Sequence, residues 1–192
     1  MARKPRMASK TGVYHFINRG VNKKKIFHKA EDRAFYWGLL KEYSGRFGVA
    51  IFHYCFMANH THLLLKADEL SALSKFGHFV QRRYAYYYCK THRWSEQVFR
   101  SRFLSIPVED DVYMLECGRY IERNALETGL VGDLATYPYS SFRYYALGRK
   151  DELVTESPLY QTMGTSKKER MGAYRFYVCQ ARENETRLSV SF

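Results

Sequence analysis

Phe56-Met57-Ala58-Asn59-His60-Thr61-His62-Leu63-Leu64-Leu65 reads as the end of one strand, a short break, and the start of the next. In an extended chain, side chains two residues apart leave the same face, so His60 and His62 project together while Thr61 and Leu63 project the other way. Such a pair suits a divalent metal. It can equally be a hydrogen-bonded core pair, because polar groups on a strand this apolar need partners to offset their desolvation.

On either side of this hairpin the segments alternate strand and helix. Residues 14–19 form a β-branched and aromatic run ended by Gly20, a first strand. Residues 31–47 carry Ala34, Phe35, Leu39 and Tyr43 near helical spacing and stop at Gly48. A strand over 49–57 alternates poorly but has strand-like content, and 60–66 completes the hairpin with it. A long helix fits 70–90 and a fourth strand 99–107. The order is β-α-β-β-α-β, which predicts an α+β, ferredoxin-like antiparallel sheet with helices on one face.

A third helix is expected over 110–128, with acids in its first turn and Gly129 past its end. Met114, Cys117, Ile121 and Ala125 make an apolar stripe along it, with Tyr113, Tyr120 and Asn124 on one margin. Tyr120 and Asn124, four residues apart, project together. Tyr137-Pro138-Tyr139-Ser140-Ser141 reads as a turn, followed by a polar stretch to Ser166 and a last helix over 167–182. Residues 1–145 are thus expected to form the main domain and 146–192 a C-terminal helical extension packed on it.

The chain of 192 residues is 46% hydrophobic and 17% aromatic, which excludes a disordered polymer. Its formal charge of +12 is unevenly spread. Arg3, Lys4, Arg6, Lys10, Arg19, Lys23, Lys24 and Lys25 meet no acid in the first 25 residues, and 71–107 is also basic, whereas 109–133 is acidic. That asymmetry points to a polyanion, most simply nucleic acid. Basic side chains interleaved with rings suit single-stranded DNA, and Arg19, Lys23, Lys24, Lys25, Arg82, Arg83, Arg100 and Arg102 are the candidate contacts. Of Tyr84, Tyr86, Tyr87 and Tyr88, half are expected in the core, because four rings within five helical residues face several directions. No run reaches the roughly 20 apolar residues of a membrane span and no signal peptide follows the basic start, so a cytoplasmic protein is expected. Cys55, Cys89, Cys117 and Cys179 form no Cys-x-x-Cys pair and read as reduced core or helix residues.

Taken together, Tyr14-His15-Phe16-Ile17-Asn18-Arg19-Gly20, Met57-Ala58-Asn59-His60-Thr61-His62-Leu63 and Arg119-Tyr120-Ile121-Glu122-Arg123-Asn124 resemble the single-tyrosine HUH transposases. Thr128-Gly129-Leu130-Val131 and Tyr137-Pro138-Tyr139-Ser140-Ser141 extend the likeness to the IS200-like family, and especially its REP-associated tyrosine transposase branch, over most of 11–145. Family members usually carry Pro-Val where this chain has Ala125-Leu126, a departure at the helix end.

The resemblance implies an HUH endonuclease fold in which Tyr120 is the nucleophile and His60, His62 and Asn124 hold Mg²⁺ or Mn²⁺. It also implies cleavage of single-stranded DNA, at hairpin-bearing element or REP ends, through a 5′-phosphotyrosine, by a monomer or a homodimer. Two other readings remain open: a domesticated nucleic-acid-binding protein of this fold, and a replication-initiator or relaxase-type HUH nuclease.

Overall fold

In the computed structural model, which describes residues 5–180, four antiparallel strands lie in the order β2-β3-β1-β4. They are β1 (Val13–Arg19), β2 (Val49–Phe56), β3 (His60–Ala67) and β4 (Leu104–Val108). Helix α1 (Ala30–Phe47) joins β1 to β2 and α2 (Leu70–His92) joins β3 to β4, the predicted ferredoxin-like connectivity. In sequence order there follow α3 (Asp111–Glu127), the short α4 (Phe142–Leu147) and α5 (Pro158–Gln161), and α6 (Lys167–Cys179). The first part of the expected last helix is present, and residues 181 and 182 lie outside the described residues.

Helices cover both faces of the sheet rather than one. Tyr14, Phe16, Leu63 and Leu65 pack against α1 and α2, with Tyr36, Leu40, Phe76, Val80 and Tyr84 in the same core. On the opposite face Val13, Leu64, Phe52 and Cys55 pack against Met114, Cys117, Ile121 and Ala125, the apolar stripe of α3. Each fully buried side chain of this kind contributes roughly 1.5–3 kcal/mol through removal from water. The physical reason for the second layer is that β1 and β3 also carry Val13, Ile17 and Leu64 on the α3 side, beside the histidines, and these are buried there.

The poor alternation of β2 has a specific cause. A β-bulge shifts the register between Ile51 and His53. Val49 and Ile51 face α1 and α2 before it, Tyr54 and Phe56 do so after it, and Phe52 and Cys55 face α3. The bulge therefore delivers His53 to the α3 side, where it meets Glu122.

Strand β4 begins at Leu104, later than the sequence suggests. Phe99 instead makes a single bridge with Gly20, and Arg100 N–H donates to Arg19 C=O at 2.8 Å. Phe103, just before β4, stacks on Phe16 with centroids 4.5 Å apart and lies where a Cβ on Gly77 would come within 2.1 Å of its ring. Gly77 is thus the residue that lets α2 close over this ring. On the same helix Tyr84 and Tyr88 are buried, Tyr87 is half-buried and Tyr86 is exposed.

The polar stretch after Tyr139 holds α4 and α5 and seals one sheet edge. Phe56 N–H donates to Tyr139 C=O at 2.9 Å, Ser141 N–H to Tyr54 C=O at 3.1 Å, and Thr155 N–H to Ile51 C=O at 2.8 Å. Helix α6 then braces the back of α3. Arg123 Nη1 donates to Val178 C=O at 2.7 Å and Arg119 Nη2 to Gln180 C=O at 2.5 Å. Between these helices the Glu122 carboxylate, fully buried, accepts from Ser141 Oγ at 2.6 Å and Tyr174 OH at 2.8 Å, and pairs with His53 Nδ1 at 3.0 Å.

Candidate functional site

Antiparallel pairing sets Arg19 opposite His60, Ile17 opposite His62 and His15 opposite Leu64. His60, His62 and His15 therefore all emerge on the face that α3 covers. The His60 and His62 rings stand perpendicular with centroids 4.9 Å apart. Tyr120 descends from α3 onto them, its ring 5.6 Å from His62 and 5.9 Å from His15, both edge-on. It stands there because the stripe of α3 packs on β2 and β3, which turns the helix margin carrying Tyr120 and Asn124 toward the histidines. The Asn124 amide Nδ2 donates to the Tyr120 carbonyl at 2.8 Å, which leaves its oxygen as the atom able to meet a cation.

Both strand histidines have Nδ1 engaged. His62 Nδ1 shares a 2.8 Å hydrogen bond with His15 Nε2, and His60 Nδ1 lies 2.6 Å from Asn59 Oδ1. In each ring Nε2 remains as the nitrogen that could bind a metal. Sequence reading singled out neither His15 nor Asn59 as a functional residue. A signal for His15 existed, because a histidine inside the apolar run of β1 poses the same desolvation problem as the pair on β3.

Burial holds all three imidazoles neutral at physiological pH. It pushes His15 down to about 3 and His60 to about 4, the latter aided by the Arg19 charge and opposed by Asn124. His62 is pushed well below its ordinary range by burial, then by His15, His60 and Arg19. The Tyr120 hydroxyl is raised, first by burial and then by Glu127, while Asn124 pulls the other way. It is therefore protonated at neutral pH and must lose that proton to act as a nucleophile.

A stability change follows from the low histidine values. Because the folded pKa is depressed, the unfolded chain takes up protons first, so metal-free stability is fully present above pH 6.5 and falls as pH drops toward about 3. His15 alone is expected to cost ~1.4 kcal/mol per pH unit within that window. Urea unfolding at pH 7.5, 6 and 5 checks this, and a flat series would show that the rings take up protons in the fold as they do in the unfolded chain.

The candidate DNA contacts fall into separate places. Arg19 and Arg100 are joined through their backbones beside His60, and Lys23 is tied to the same end of the sheet by the Asn59 side chain. Arg82 and Arg102 line a groove of about 430 Å³ floored by Val98 and Phe99. Gln81 fastens that groove to the sheet, donating to Asn18 Oδ1 at 2.7 Å and to Ser101 C=O at 3.1 Å. Lys24 is partly committed elsewhere, 3.7 Å from Glu96 and stacked over Trp94 at 4.1 Å. Lys25 follows it at the end of the turn, and Arg83 is exposed on α2 outside the groove lining.

Among the described residues no three His, Cys, Asp or Glu side chains converge as a metal site, and the Asn124 side chain, which faces His60 from α3, offers an amide oxygen beside the histidine pair. Two imidazoles and a carboxamide form a mixed set that accepts Mn²⁺ or Mg²⁺ without selecting either. In that respect the residues present fit a divalent metal.

A ferredoxin-like sheet that carries paired histidines under a tyrosine-bearing helix defines the architecture of this molecule. Residues 8–124 match the family model for IS200-like transposases, and the chain belongs to that family. It is accordingly a transposase. Among solved structures, it is similar to a REP-associated tyrosine transposase bound to a REP hairpin, at 14% identity and a TM-score of 0.65 over 82% of this chain and 93% of that one. That likeness is one of fold. A Deinococcus radiodurans R1 protein solved under a transposase designation is more distant, with 18% identity and a TM-score of 0.43 over 64% of this chain and 97% of that one. Comparison with curated protein sequences gives no match. Among the described residues no helix is long and apolar enough to cross a membrane.

Proposed function

We propose that this transposase cuts and rejoins single-stranded DNA through a covalent 5′-phosphotyrosine on Tyr120. The observation that carries the reading is that the Tyr120 ring of α3 lies 5.6 Å from the His62 ring of β3, which is itself 4.9 Å from the His60 ring, with the Asn124 side chain facing His60. The Tyr120 oxygen attacks a backbone phosphorus as its proton leaves, the P–O3′ bond breaks, and the departing 3′ oxygen gains a proton. A bound Mg²⁺ or Mn²⁺ would supply charge stabilisation at the phosphate oxygens. His60, His62 and the Asn124 oxygen would hold it, neutral imidazoles being the form a cation requires. The phosphotyrosine keeps the energy of the broken bond, so the 3′-OH of another strand can reverse the step without a nucleotide cofactor.

The DNA partner is a single strand bearing a hairpin, at element or REP ends, tracked by Arg19, Lys23 and Arg100 beside the site and by Arg82 and Arg102 along the groove. The related structure holds a REP hairpin, which supports this class of ligand. Incubation with a 5′-labelled hairpin oligonucleotide and Mn²⁺, then a denaturing gel, is expected to show cleaved strand, and a 3′-labelled one a protein adduct. Neither species forming on any hairpin tested with Mn²⁺ or Mg²⁺ would leave only a binding protein of this fold.

Phosphate contacts should dominate affinity. Changing Lys23, Lys24 and Lys25 together to Gln is expected to lower the slope of log K against log salt by about 0.7 for each phosphate that is no longer neutralised. Fluorescence anisotropy across roughly 50–300 mM salt, where the Debye length falls through about 10 Å, measures it. An unchanged slope would show that the turn meets solvent and not the strand.

A further inference from the structure

Asn59 sits between two features that the reaction treats as separate, the basic turn at Val21–Lys23 and the imidazole of His60. Its amide is oriented without ambiguity. The Nδ2 group lies 3.1 Å from the Lys23 carbonyl, which can only accept, so Nδ2 donates there and Oδ1 faces His60. At 2.6 Å from His60 Nδ1, that oxygen can also only accept. A hydrogen on His60 Nδ1 satisfies this oxygen and leaves the lone pair on Nε2, with the Asn124 side chain as the competing partner of the ring.

We propose that Asn59 is a positioning residue: oriented by the Lys23 carbonyl, it fixes His60 as the Nδ1–H tautomer and so presents Nε2 to the divalent metal. This rests on the proposed metal role of His60. Free imidazole side chains do not select that tautomer unaided, so the hydrogen bond on the far nitrogen has to impose it.

The turn is shaped to serve this contact. Asn22 and Lys23 both take left-handed backbone angles, with φ of 47° and 59°, an arrangement that asparagine tolerates and lysine resists. Lys24 N–H closes the turn on Val21 C=O at 2.8 Å, and Gly20 N–H donates to Asn59 C=O at 2.8 Å. Gly20 is required there, since a Cβ would lie 2.1 Å from the Lys24 carbonyl oxygen. The turn that offers lysines to DNA thus reaches the metal ligand through one side chain.

The test separates the tautomer from the metal. Ring ¹⁵N shifts of His60 in the metal-free protein are expected to show the Nδ1–H form. Asn59→Asp keeps an acceptor toward His60 and should keep that form, whereas Asn59→Leu should shift His60 toward Nε2–H. Mn²⁺ titration should show about 10- to 100-fold weaker binding for Asn59→Leu than for wild type. An Nε2–H signal in the wild type overturns the proposal, as does an unchanged tautomer and Mn²⁺ affinity in Asn59→Leu. Should Asn59→Leu not fold, the wild-type and Asn59→Asp spectra still decide it. If wild type shows the Nδ1–H form yet binds no Mn²⁺, the metal reading of the site fails while the orienting role of Asn59 stands.

Discussion

Tyr120→Phe is expected to remove the covalent DNA adduct and reduce strand cleavage to background, while hairpin DNA still binds within about twofold of wild type. The change deletes one oxygen. It preserves the ring that lies edge-on to His62 at 5.6 Å and His15 at 5.9 Å, so the packing between α3 and β3 is kept. The residue is half-buried, and its hydroxyl is not among the groups that tie α3 to α6. A thermal midpoint close to wild type, together with loss of the adduct on a denaturing gel, is the paired result that the proposal requires. If an adduct survives, the nucleophile lies elsewhere, and Tyr113, half-buried seven residues earlier on α3, is the next residue to change.

Glu122→Ala should be the most destabilising single change near the site, costing ~3–5 kcal/mol in urea unfolding. The carboxylate is fully buried and serves three partners from three other segments: His53 on the bulge of β2, Ser141 before α4, and Tyr174 on α6. Removing it leaves those groups buried without their acceptor and opens a cavity between the helices. Tyr174→Phe removes one donor only and is expected to cost ~0.5–1.5 kcal/mol. A loss under ~1 kcal/mol for Glu122→Ala would mean that the network adds little to holding α3. Since Tyr120 and Asn124 flank Glu122 on the same helix, any loosening of this anchor is expected to lower cleavage more than DNA binding.

Much of the site is legible in local pattern. The two-residue period puts His60 and His62 on one face, and the four-residue spacing on an apolar-striped helix puts Tyr120 beside Asn124. Net charge points to a polyanion before any coordinate is known, and the family match agrees with that reading by naming a transposase. Those features depend only on the geometry of a strand, a helix and an unscreened charge.

What period and composition leave open is which element covers which face. Helix α3 crosses to the side of the sheet opposite α1 and α2, and only that choice brings Tyr120 over the histidines. His15 becomes a partner of His62 through strand register, 47 residues apart in sequence. Likewise His53 meets Glu122 because one extra residue in β2 reverses the parity of the strand beyond it. Lys24 turns out to be shared with Glu96 and Trp94, which its place in a run of three lysines does not reveal. The elements, the paired histidines and the basic character are therefore properties of the chain read locally, because each follows from side-chain direction and charge along one stretch of residues. Their partners belong to the folded molecule, because a hydrogen bond or a ring contact depends on the register and layer order between stretches, and no local period encodes those.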